Sequence, residues 1–152
     1  VKVGMPILVQ VKRDSTNKKG ARVSTHINLA GRFCVIMPGV KFITISQKIE
    51  KEKERTRLIE IIEKNLPEGV GIIVRTSAEG KKEEDIIKDM KQTIGKWENI
   101  RKQANQEKSM PQLVYENSDI VKRILVDLID QDIARIIVNR EKEKKEIEKT
   151  LQ

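Results

Sequence analysis

The chain has 152 residues, enough for one ordinary domain or two small ones, and 31 basic against 23 acidic residues give it a net charge of +8. That balance favours nucleic acid or another polyanion over an acidic protein partner. No apolar run approaches the ~20 residues of a membrane span, no secretory pattern opens the chain, and a single cysteine allows neither a disulfide framework nor a paired-cysteine metal site, so a reducing, cytoplasmic setting fits.

The chain opens on Val1 rather than Met and almost inside a strand, which reads as a piece of something longer. Residues 5–13, MPILVQVKR, alternate, with Ile7, Val9 and Val11 on one side and Leu8, Gln10 and Lys12 on the other. Residues 21–31, ARVSTHINLAG, do the same, with Val23, Thr25, Ile27 and Leu29 opposite Arg22, Ser24, His26 and Asn28. The pattern predicts two antiparallel strands, each with one buried face, joined through the turn-rich, basic loop DSTNKKG. FCVIM is apolar on both faces and stops at Pro38-Gly39, as a central strand before a turn does.

From about Lys48 the period changes to 3.6. Leu58, Ile61, Ile62 and Leu66 mark a helix ended by Pro67, followed by a short buried strand, GVGIIV. A long helix from about Lys81 carries Ile86, Ile87, Met90, Ile94, Trp97 and Ile100 on one side, which makes Trp97 a core anchor rather than a base-stacking platform. QLVY and ARIIVN read as further strands. Between them Ser118 is placed to cap a helix bearing Ile120, Val121, Ile124, Leu125 and Leu128, and the chain finishes in a charged helix. The composition shift near residue 46 and the loop at 106–111 are the natural domain seams.

Catalytic patterns are missing. The lone histidine, His26, sits on the polar side of a strand, and no metalloprotease, nucleophile-elbow or P-loop pattern occurs. Asp127, Asp130 and Asp132 cluster, but a solvated helix face is the default reading of them over a metal site. Cys34, inside RFCVIMPG, is placed as a buried, unreactive thiol. Binding signals are stronger. Residues 1–46 hold eight basic side chains against Asp14 alone, five of them (Lys12, Arg13, Lys18, Lys19 and Arg22) in and beside the hairpin loop, where they can track a phosphate backbone. Composition alone leaves a basic solubility patch equally open, and four aromatic residues are too few for a single-strand stacking platform. The strand GVGIIV exits into Arg75 and Thr76. A guanidinium fork beside a hydroxyl suits a phosphate, although a strand end capped by polar residues fits the same pair.

Taken in order, the blocks VGMPILVQVKR, NKKGARVSTHINLAGRFCVIMPG, ISQKIE and LPEGVGIIVRTSAEGK resemble the ribonuclease E/G family over nearly the whole chain. The resemblance implies an α+β fold in three parts. Residues 1–30 would be the last strands of an OB-type RNA-binding barrel, 31–110 a sensor for the RNA 5′ end, and 111–152 part of an RNase H-like domain. It implies that Gly31 and Val35 offer main-chain contacts to a 5′-monophosphate, that Arg75 and Thr76 grip it with side chains, and that Lys19, beside Lys12 and Arg22, contacts the backbone of single-stranded RNA. After Ser46 the family commonly shows two basic residues, and here they are Gln47 and Lys48. The resemblance further implies a cytoplasmic, homo-oligomeric, magnesium-dependent endoribonuclease with zinc-linking cysteines as the parent protein. Its catalytic carboxylates and metal ligands would lie downstream, leaving this segment without catalytic residues or a cofactor of its own. The rival readings are a stand-alone RNA-binding module and a structural scaffold in which Arg75 and Thr76 merely finish a strand.

Overall fold

β-branched residues in five-residue runs and a 3.6-residue apolar period build the elements of a mixed α+β fold. In chain order these are β1 (Gln10–Arg13), β2 (Arg22–Ser24), β3 (Leu29–Ala30), β4 (Cys34–Pro38), β5 (Ile43–Ile45), α1 (Glu52–Asn65), β6 (Val70–Val74), a 3₁₀ turn (Thr76–Ala78), α2 (Glu83–Ala104) and α3 (Glu141–Leu151). The structure, a computed structural model, describes residues 2–106, 110–116 and 135–151. Contacts divide the chain into Val1–Val114 and Tyr115–Gln152. No division falls near residue 46, because Ile45 at the end of β5 pairs with Val74.

The first unit holds a hairpin, β1–β2, and a four-stranded sheet in the order β3-β4-β6-β5. β4 is antiparallel to β3 and β6, as a run apolar on both faces suggests for an inner strand. At its end Gly39 adopts φ +83°, a left-handed turn open to glycine, and donates its N–H to Gly69 O at 2.9 Å. β5 is parallel to β6 and reaches it through α1, which packs on β5. The helix ends because Leu66, preceding Pro67, is held extended at φ −81°, ψ 126°. α2 packs on β3 and β4 through buried Ile86, Met90, Thr93 and Ile100, with Ile87, Ile94 and Trp97 half-buried against the same core. Acidic Glu83, Glu84 and Asp85 open α2 and Arg101 and Lys102 close it, in keeping with the helix dipole. Among the described residues no helix is long and apolar enough to cross a membrane.

Four expectations need correction. Residues 21–31 form two strands in two sheets rather than one. Ser24 Oγ accepts the His26 N–H at 3.1 Å, a local side-chain turn that competes with the ladder and redirects the chain. Residues 5–9 are not strand, since β2 turns away after Ser24 and gives them no partner. The apolar face of the hairpin is not buried: Ile7 is 53% exposed, Val11 54% and Val23 52%. Finally, QLVY and the described part of ARIIVN, residues 135–139, are irregular, with Leu113 and Ile137 exposed, because an apolar run becomes a strand only beside a hydrogen-bonding edge. β5 is an addition that the sequence pattern did not single out. The helix read from Ser118 and the Asp127, Asp130 and Asp132 cluster lie outside the described residues.

Candidate functional site

Strand direction alone gathers the site. β5 and β6 are parallel, so Ser46 and Arg75 leave the sheet at the same end. Cys34, which begins antiparallel β4, lies opposite Val74, and Ala30, which ends β3, lies opposite Val35. The turn 31–33, the exit 75–77 and Ser46 therefore meet, although Gly31 and Arg75 are 44 residues apart in sequence.

Hydrogen bonds close the assembly. Arg75 donates its main-chain N–H to Phe33 O at 2.8 Å, and its Nη1 to Gly31 O at 3.1 Å. Ser77 Oγ donates to Arg32 O at 2.6 Å, and the hydroxyls of Ser46 and Thr76 lie 3.1 Å apart. Ser46 is fixed in turn: its N–H donates to Val74 O at 2.9 Å and its carbonyl accepts Arg55 Nη1 at 3.0 Å. Arg75 is half-buried and Thr76 exposed at this end of the sheet. Arg32, exposed beside them, sets its guanidinium 5.3 Å from the centroid of the Phe33 ring, a cation–π contact.

Of the residues singled out from sequence, Gly31, Val35, Arg75 and Thr76 share this end of the sheet. Gly31 is buried and uses its main chain internally, donating N–H to Cys34 O at 2.7 Å and accepting Arg75. Val35 stands inside the ladder between Ala30 and Ile73. Lys12 and Arg22 lie on the other sheet and Lys19 in the loop joining its strands, all exposed. Lys12 Nζ donates to Gln10 Oε1 at 2.5 Å, and Lys19 ties the loop through paired main-chain bonds to Thr16. Arg22 pairs directly with Arg13, a like-charge cross-strand pair that repels unless an anion lies over it. Gln10 joins the hairpin to the core. Its amide exchanges two 2.9 Å bonds with the main chain of Asn28, just before β3.

Sequence reasoning missed Asp89. Its carboxylate accepts N–H groups from Arg32 (2.8 Å), Phe33 (2.8 Å) and Cys34 (3.3 Å), and Cys34 Sγ lies 3.5 Å away. Thr93, also missed, donates its hydroxyl to Asp89 O at 2.8 Å. The available signal was positional. Asp89 falls three residues after Ile86 and four before Thr93, on the inward stripe of α2, where a charge requires a partner. Burial, with the Asp89 carboxylate alongside, pushes the Cys34 thiol well above its ordinary range, so it is neither a nucleophile nor a ready thiolate ligand. Among the described residues no three His, Cys, Asp or Glu side chains gather as a metal site, and Cys34, sealed in the core, does not fit zinc.

The chain is a mixed α+β protein whose parallel strand ends carry Arg75 and Thr76 beside a hydrogen-bonded turn. Comparison with known proteins identifies its kind. The Ribonuclease E/G family model matches residues 28–152. Ribonuclease E of Nostoc sp. is 37% identical over 146 residues, 96% of this chain and 21% of its own length. Ribonuclease E of Haemophilus influenzae is 38% identical, over 91% of this chain and 15% of its own, and ribonuclease G of Escherichia coli 34% identical, over 91% and 28%. The chain belongs to the ribonuclease E/G family, and it spans between 15% and 28% of the length of these three relatives.

Proposed function

We propose that this chain is the RNA-binding and end-sensing segment of a ribonuclease E/G-type endoribonuclease, acting in cytoplasmic RNA processing and decay. Residues 31–110 form the sensor, with residues 1–30 contributing barrel strands and 111–152 belonging to an RNase H-like domain. The ligand is the 5′-monophosphate of single-stranded RNA. Arg75 and Thr76 supply side-chain donors, and the main chain from Gly31 to Val35 forms the floor beneath the phosphate. Lys12, Lys19 and Arg22 run along the RNA backbone from the hairpin. Cleavage, with the magnesium and zinc implied by the family resemblance and the homo-oligomeric assembly, belongs to the parent protein outside this chain.

A terminal phosphomonoester carries about −1.5 to −2 charge and three free oxygens, whereas an internal phosphodiester has one charge, two free oxygens and chain leaving on both sides. A site rigid on its sheet side favours the compact, doubly charged end. A 5′-hydroxyl offers no oxyanion for Arg75 and Thr76 to engage.

The observation carrying this reading is the 3.1 Å bond from Arg75 Nη1 to Gly31 O, which aims the guanidinium at the turn 31–35. The test is fluorescence anisotropy with oligoribonucleotides of one sequence bearing 5′-monophosphate, 5′-triphosphate or 5′-hydroxyl. The monophosphate should bind tightest, and Arg75→Ala should erase the difference. Equal affinities for the three ends, unchanged in Arg75→Ala, would remove the reading.

A further inference from the structure

We infer that Asp89 is the positioning residue of the end-recognition site: its carboxylate, delivered by α2, sets the turn 31–34 in the shape that orients Arg75. The inference rests on the proposed function and adds a residue to that site. Three consecutive main-chain N–H groups, those of Arg32, Phe33 and Cys34, converge on this one carboxylate. Successive amides pointing into one concavity form an anion-binding nest. Here the occupant is built in, so the nest is closed from behind by the protein's own anion and the phosphate is left to the Arg75–Thr76 side. The carbonyls on the same turn point the opposite way, toward the strand exit. Gly31 O takes Arg75 Nη1, Arg32 O takes Ser77 Oγ and Phe33 O takes the Arg75 N–H. The same peptide units thus serve Asp89 with their N–H groups and the Arg75–Ser77 exit with their carbonyls.

Gly31 acquires a physical reason from the same contact. A Cβ there would stand 2.5 Å from Asp89 Oδ2, 2.6 Å from Thr93 Oγ1 and 2.7 Å from Asp89 Oδ1. Glycine at 31 is required so that α2 can bring its carboxylate up to the turn. The helix fills the space that a side chain at 31 would take.

The experiment compares full-chain wild type, Asp89→Ala and Asp89→Asn for binding to 5′-monophosphate and 5′-hydroxyl oligoribonucleotides of one sequence, with thermal melts confirming a folded sample. The expected result is a loss of about 5- to 10-fold in the monophosphate-to-hydroxyl affinity ratio for Asp89→Ala, since one charge-assisted contact through Arg75 is misaimed. Affinity for the 5′-hydroxyl RNA should hold, which a merely destabilised fold would not produce. Asp89→Asn, which keeps one carbonyl oxygen for the amides, should lose less, and it carries the same readout where Asp89→Ala fails to fold. A wild-type ratio above one that neither variant lowers would overturn the role of Asp89. A wild-type ratio of one would overturn the end-sensing reading itself, and the inference with it.

Discussion

The four-stranded sheet and the β1–β2 hairpin belong to one chain and handle charge in opposite ways. At the exit end of the sheet, the cations Arg75 and Arg55 are anchored. Arg75 is tied to Gly31 and Arg55 bridges the carbonyls of Ser46 and Ile49. In the hairpin, cations are many and exposed, with Lys12, Arg13, Lys18, Lys19 and Arg22 opposed by Asp14 alone. Anchored charge recognises one geometry, because the donors are already oriented when the ligand arrives. Exposed charge attracts any phosphate chain and is screened by salt. In the proposed function, the difference separates recognition of an end from retention of a strand.

The largest test of the contrast is stability. Ile36 in β4 is fully buried, whereas Val23 in β2 is 52% exposed. Urea denaturation of the 152-residue chain should show Ile36→Ala costing about 2–5 kcal/mol and Val23→Ala within about 0.5 kcal/mol of wild type. Similar costs at the two positions would mean that the hairpin carries a packed face of its own.

Next comes affinity for the RNA end. Arg75→Ala removes a charge-assisted contact of about 1.5–3 kcal/mol, so monophosphate-dependent binding should fall about 10- to 150-fold while 5′-hydroxyl RNA is held as before. Lys19→Ala should do the reverse, weakening all ends equally and reducing the slope of log affinity against log salt by about 0.7 for single-stranded RNA. An unaltered slope would take Lys19 off the RNA path, and an end-dependent loss would merge the two surfaces that the fold keeps on separate sheets.

What could be read in the sequence follows the same division. β4, β6, α1 and α2 are legible because long apolar runs and a sustained 3.6-residue period admit few alternatives. β5 is only three residues, Ile43–Ile45, and owes its existence to the edge of β6 rather than to its own propensity. The break at Ser24–His26 was hidden for a different reason. Ser24 belongs to a clean alternation, and only its bond to the His26 N–H shows that the alternation serves two sheets. At the candidate site, Arg75 and Thr76 draw notice in the sequence because they follow a buried strand, a position that a plain strand end shares. Asp89 does not, because a carboxylate in a charged helix reads as solvated until α2 is seen to press it onto Gly31. A side chain whose task is to hold another residue's main chain leaves only its position on the inward stripe as a trace.

The smallest expected effect concerns the chain between the Arg75 exit and α2. Glu54, in the first turn of α1, accepts two bonds from Arg57, at 2.8 and 2.7 Å, and one from the Gly80 N–H at 2.9 Å; Arg57 also donates to Lys81 O at 3.1 Å. The pair clamps residues 80–81, which carry the chain from the 3₁₀ turn into α2, to the neighbouring helix. The Arg57 hydrogen bonds hold the Glu54 carboxyl below its usual 4.5, at about 2. A carboxyl held low in the folded state contributes stability that is complete above its unfolded value and disappears as pH falls through the folded one. Between pH 4.5 and 2 the wild type should therefore lose stability that Glu54→Gln does not have to lose. Arg57 is 37% exposed, so screening limits the difference to about 1 kcal/mol or less. Parallel melts of the two proteins from pH 6 to pH 2 should converge at the acid end, with the mutant the less stable above pH 5. Curves that coincide at every pH would show that the clamp contributes nothing to the fold.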